Sequence, residues 1–321
     1  MLALLAAMLL AAPADGKATV VQGSVEAKPA NADFAPLAAG TPVAAGTTLR
    51  TGAGGKALID FGGGYELRLN EKTEISLETD KKMMLIRGRV YFKVPKASAP
   101  VEIATELHPM KLEACVADIS YTPRVPNGAP ATTRFMVLEG KMTAFSKKFS
   151  PVITSGWVST GYGSQLNTPD TIRNMAIDTD WVHPLLVARG TIDEEIGMRT
   201  DELLAVLAKE TPDPAEPSLR SLGELAAPAL AKYLGKAFLL ETQVVRRAVA
   251  ARALAAGVTI KSAALLLPLL SHKEAEVRIA CGGGLARLAG KDLGYNDAYW
   301  KGDKLEAGQK AWEEWVRQNA K

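Results

Sequence analysis

The hydrophobic pattern of this 321-residue chain changes period once, and that change limits the fold more than any other feature. From about Lys17 to Thr168, short runs of alternating apolar and polar residues are separated by Gly, Pro, Asn and Asp, the period-two mark of half-buried strands. From about Thr191 onward, Ala, Leu, Arg, Glu and Lys recur at helical spacing. One core does not accommodate both patterns at this length, because single cores stop growing at roughly 250–300 residues. The expectation is a multidomain chain: an all-β, stacked or sandwich-like antiparallel domain over 15–168, a linker over 169–191, and an all-α domain over 192–321.

The clearest period-two stretch is "KALIDFGGGYELRLNEKTEISL", Lys56 to Leu77. Ala57, Ile59 and Phe61 share one face, as do Tyr65, Leu67 and Leu69, with Glu66, Arg68 and Asn70 opposite and Ile75 and Leu77 in a third run. Gly62, Gly63 and Gly64 supply the positive φ angles of a tight hairpin, so the stretch predicts a meander with a polar outer face. Further strands are expected at 19–28, 47–50, 83–87, 89–94, 101–104, 110–122, 134–139, 141–146 and 152–159. In "FMVLEGKMTAF", Phe135 and Val137 face one way and Met136 and Leu138 the other, as in a strand buried on both sides.

The order of "GSVEA", "LAAGTPVAAGTTLRTGAGGKALIDFGGGYELRLNEKTEISL", "LIRGRVYFKVP" and "MVLEGKMTAFSKKFSPVITSGWVST" resembles the FecR family of extracytoplasmic domains across most of 17–165. Two departures stand out: Gly62-Gly63-Gly64 replaces the family's acidic-Gly-Ser turn, and "ACVADISYT", Ala114 to Thr122, lacks the usual Gly-Thr. The best-studied members relay a signal from an outer-membrane receptor to a sigma factor, through a cytoplasmic anti-sigma segment, a membrane helix and the FecR domain outside. The sequence shows neither of the first two parts. The resemblance therefore implies a non-enzymatic, exported binding or scaffold protein of the bacterial envelope with an unidentified protein partner. The alternative it implies is a sensory component of a sigma-factor type pathway acting through a membrane partner. A hydrolase with a site between the domains is a third reading, and an envelope glycan a second ligand class.

Export is expected from "MLALLAAMLLAAPADG", which carries no charge before Asp15 and is shorter than the roughly 20 residues of a membrane span. Ala12-Pro13-Ala14 offers the small residues of a signal-peptidase site, so 1–14 reads as a signal peptide and the mature chain as periplasmic, without stable membrane insertion. A net charge of +3 and a pI near 8.7, with no long basic block, exclude a nucleic-acid arm. The only cysteines, Cys115 and Cys281, fall one in each half; they pair only if the halves dock with both sulfurs adjacent.

In the second half, helices are expected at 226–236, 242–256, 262–270 and 275–289. "VVRRAVAARALAAG", Val244 to Gly257, overlays "EVRIACGGGLARLAG", Glu276 to Gly290, at about 32–33 residues with one slipped position, a spacing that resembles HEAT-like helical repeats. Trp312 and Trp315, three apart after Tyr299 and Trp300, read as a hydrophobic lid on the last repeat rather than a ligand platform.

Chemistry-bearing residues are scattered. His108, His183 and His272 have no second ligand at metal spacing and read as surface or structural histidines. Glu194-Glu195 and Glu313-Glu314 point about 100° apart on a helix and read as solvated faces. "CGGG", Cys281 to Gly284, sits within a helix, where close packing rather than phosphate binding explains its glycines. Thr154 to Ser164 lacks a nucleophile elbow. No catalytic, cofactor-binding or metal residue, and no cofactor, is assigned.

Overall fold

In the computed structural model the described residues are 14–126, 128–172, 174–207, 214–236, 243–293 and 303–320. Most of the expected signal peptide therefore lies outside them, as do Tyr299 and Trp300. The chain divides into two compact units, through residue 173 and from residue 174.

The first unit is a β structure. Its strands are β1 (Ala14–Gln22), β2 (Val25–Lys28), β3 (Ala35–Pro36), β4 (Pro42–Ala44), β5 (Thr48–Thr51), β6 (Lys56–Asp60), β7 (Glu66–Leu69), β8 (Glu74–Thr79), β9 (Lys82–Lys93), β10 (Val101–Ala104), β11 (Pro109–Thr122), β12 (Thr132–Ala144), β13 (Val152–Thr154), β14 (Trp157–Tyr162), β15 (Gln165–Leu166) and β16 (Asp170–Thr171).

Three long strands carry the architecture, because each changes neighbours midway. The first half of β9 pairs with β8 and β10, the second half with β7 and β11. The first half of β11 pairs with β10 and the second half with β9. The first half of β12 pairs with β14 and its end with β13. One continuous sheet thus folds over into two layers, with β3, β2, β5, β8 and β10 in one, and β4, β1, β6, β7 and β14 in the other. The inward residues of both layers form one core, from Leu49, Ile75, Leu85 and Met110 on one side to Ile59, Leu67, Phe92 and Phe135 on the other.

Each long strand bends where one residue has a positive φ: Gly88 at 96° in β9, Ala114 at 45° in β11, and Gly140 at 74° in β12. A Cβ on Gly88 would lie 2.4 Å from the Thr73 backbone, and one on Gly140 would lie 1.8 Å from the Ala114 carbonyl oxygen. Only glycine permits these approaches. At the first bend the Thr73 hydroxyl accepts from Arg89 N (3.0 Å) and donates to Arg89 O (3.1 Å), standing in for the ladder bonds lost there. Core parity switches at every bend: Met83 and Leu85 point inward before Gly88 but Val90 and Phe92 after it, and β11 and β12 behave alike.

Several expectations need correction. The meander is a hairpin only: β6 pairs with β7, whereas β8 leaves for the other layer and pairs with β5 and β9. The stretches 83–87 and 89–94 are one strand, as are 134–139 and most of 141–146, because a glycine bend interrupts alternation without ending pairing. The sheet is mixed, not purely antiparallel, since β9 and β10 run parallel. The outer face of β7 is not solvated: Arg68 is 0% exposed, donates to Glu66 at 2.6 Å and lies 4.8 Å from the Tyr91 ring. The residues expected inward on β6, β7 and β8 do lie in the core.

The second unit is helical: α1 (Met175–Asp178), α2 (His183–Arg189), α3 (Glu194–Val206), α4 (Ala215–Leu222), α5 (Ala227–Leu234), α6 (Val244–Gly257), α7 (Ala275–Ala289) and α8 (Asp303–Asn319). Asn174 and Asp193 cap α1 and α3 by accepting from Ile177 N (3.0 Å) and Ile196 N (3.2 Å). The span expected as a linker, 169–191, instead holds β16, α1 and α2, with Leu185 and Leu186 fully buried.

The two similar segments form α6 and α7, which pack together, and a Cβ on Gly284 would sit 2.9 Å from that of Ala255. Close packing thus accounts for Gly284, though Gly283 faces open space. Ala263–Ser271, expected to be α-helical, is a 3-10 helix containing Pro268, which cannot supply an α-helical N–H. Repeated α–α pairs, as HEAT-like repeats require, are therefore not shown. Trp312 is fully buried and meets Trp315 edge-on at 5.8 Å, as a lid would.

Candidate partner-binding surface

The outer face of the first layer carries the candidate site. Register places Ser76, Met84, Ala104 and Pro109 side by side across β8, β9, β10 and β11, and Phe145 N donates to Pro109 O (2.8 Å). Met84 is 37% and Phe145 40% exposed, which marks an apolar strip rather than isolated surface hydrophobes. It floors a groove of about 410 Å³. Glu78, Lys82, Glu102 and Lys111 rim it: Lys82 pairs with Glu78 (2.6 Å), and Lys111 pairs outside the groove with Glu113 (2.9 Å), which also takes Lys141 (2.5 Å). Hydrogen bonds from Lys141 and then Lys111 lower the Glu113 pKa to about 2, so that carboxylate stays ionised at any physiological pH. An apolar strip with a charged rim suits a protein partner.

The weighed histidines, Glu195 and Ser155 each have local partners within their own unit. His108 is buried in the β core, its Nδ1 3.2 Å from the Thr133 hydroxyl. His183 is likewise buried, its Nδ1 2.7 Å from Ser221 Oγ. Ser221 Oγ also lies 2.8 Å from Ser218 O, a carbonyl that accepts from it. His272 Nδ1 accepts from Glu274 N (3.2 Å) at the start of α7. Both His108 and His183 are thus structural, not surface, histidines. Glu195 is buried against Arg199 (3.2 Å), which corrects the solvated-face reading, while Glu313 is exposed. Ser155 donates to Leu138 O (2.6 Å).

Cys115 and Cys281 are both free and buried, each with its pKa pushed up to about 12 by burial. Among the described residues, no group of three or more His, Cys, Asp or Glu could hold a metal, and no helix is long and apolar enough to cross a membrane. Sequence reasoning missed the ion pair of half-buried Arg89 with buried Asp118 (2.9 Å); the signal was a lone acid flanked by apolar residues in "VADIS".

The groove strands and all three bends fall within one stretch. Residues 47–143 match the family model described as FecR protein. No curated protein matches the chain. Among solved structures it is similar to two of a candidate anti-sigma factor from Parabacteroides distasonis ATCC 8503. One is 12% identical with a TM-score of 0.35, covering 42% of this chain and 64% of the other; the second is 12% identical with a TM-score of 0.30, covering 37% and 56%. The chain thus spans less than two thirds of either. The FecR match includes Met84, Ala104 and Pro109 but stops just before Phe145.

Proposed function

We propose that the chain is an exported, non-enzymatic relay component of a bacterial envelope signalling pathway, which recognises a protein partner through the strip around Met84 and Phe145. The FecR protein match over 47–143 carries this reading, because that stretch builds the groove strands. The exposed apolar floor and the charged rim support a protein ligand over a small substrate. In this reading 1–14 is removed on export, the mature chain works in the periplasm, and the helical unit acts as a HEAT-like scaffold.

The test replaces the chromosomal gene with one encoding Met84→Asp and Phe145→Asp. Both side chains are exposed, so the fold should shift by about 0.5 kcal/mol or less. The expected outcome is the same altered envelope-response transcription as a deletion, with an unchanged unfolding midpoint. A deletion that leaves transcription unaltered, or a double variant that signals normally, overturns the proposal.

A further inference from the structure

Helices α3, α5 and α6 enclose a second cleft, of about 520 Å³, wholly within the helical unit. Its lining follows helical spacing: Asp201 and Leu204 on α3, Ala229, Lys232 and Lys236 along α5 and just past its end, Arg246 on α6. Three cations therefore face one carboxylate, and among the described residues none of the four belongs to an ion pair.

Two buried polar atoms at the cleft lack partners: Arg246 Nε, a donor, and Gln243 Oε1, an acceptor. Buried polar atoms without partners are costly and mark a missing ligand or water. The two atoms ask for opposite things. An acceptor satisfies Arg246, whereas Gln243 Oε1 needs an N–H or O–H, which a bare carboxylate does not offer. A peptide offers both, and Leu204 and Ala229 give it an apolar floor.

We propose that this cleft binds an acidic, partly apolar peptide segment of another protein, its carboxylates against Lys232, Lys236 and Arg246 and a backbone N–H against Gln243 Oε1. The proposal is independent of the groove on the β unit, and either can fail alone.

The experiment titrates the full mature protein into a fluorescein-labelled, N-acetylated hexapeptide of alternating glutamate and leucine, with a lysine and leucine peptide as control. Expected are binding of the acidic peptide only, loss with added salt, and at least about tenfold weaker binding (~1.4 kcal/mol) in Lys232→Glu with Lys236→Glu. Both lysines are exposed, so that variant keeps its fold, checked by circular dichroism. Arg246→Gln should weaken binding about fivefold, whereas Met84→Asp with Phe145→Asp should not. Equal affinity in the lysine variant overturns the proposal, as does complete displacement by millimolar inorganic phosphate, which would make the cleft a simple anion site.

Discussion

At the scale of single residues, burial governs His108, His183 and Glu195. His108 is buried beside Thr133 and Phe135, and desolvation holds its pKa below the ordinary 6.5. A depressed histidine is neutral in both states above about 6.5; as pH falls below that value the unfolded chain takes up a proton that the native one refuses, so stability falls toward acid. In His108→Asn, which keeps a hydrogen-bonding group near Nδ1, the loss of urea midpoint between about pH 7 and pH 5 should be smaller than in the parent. An unchanged slope would show that His108 does not titrate between the two states. None of this was legible from linear spacing, since Thr133 lies 25 residues from His108 and reaches it only across the sheet. The same limit hid Arg68, whose place opposite Leu67 implied water on any alternating reading.

At the scale of elements, alternation in the sequence identified the longer strands but missed β3, β4, β15 and β16, ran β1 into β2 and β13 into β14, and did not show where strands continue. Ile59, Leu67, Ile75, Val90 and Phe92 lie inward as period two requires, because one residue's pleat depends only on its neighbours. Gly88 and Gly140 look like turns in one dimension, yet pairing runs through both. What separates a bend from a turn is the strand lying across it, which no local window contains. The positions should behave accordingly. Gly140→Ala places a methyl 1.8 Å from the Ala114 oxygen, whereas Gly62, at φ 85°, has nothing within 4 Å. The first substitution should cost ~3 kcal/mol or more and the second about 1 kcal/mol, read as the shift in denaturant midpoint. Equal costs would mean that the bend at Gly140 relaxes freely. On the helical side, the similarity between α6 and α7 was visible, but the 3-10 helix around Pro268 followed from a single ring that composition concealed.

At the scale of the whole molecule, the change of period was the most informative feature of the sequence, because it falls within about 20 residues of the division at 173 and 174. It misplaced the connection, since α1 and α2 begin the helical unit where a linker was expected. Each unit has its own buried apolar residues, so fragments 14–173 and 174–321 should each fold when expressed alone, giving strand-like and helical circular dichroism with separate cooperative transitions. A fragment that stays unfolded would tie its core to the other's presence. The three bends also determine where this chain can change length. On either side of each bend the core is spelled by residues of opposite parity, so one residue gained or lost at position 88, 114 or 140 would turn every later side chain of that strand inside out. The Gly62–Gly64 loop, open to solvent, absorbs the same edit without consequence for the core. Among homologous chains, gaps should therefore collect at that loop and be absent from the three bends, a spacing rule that holds however far the residues themselves have diverged.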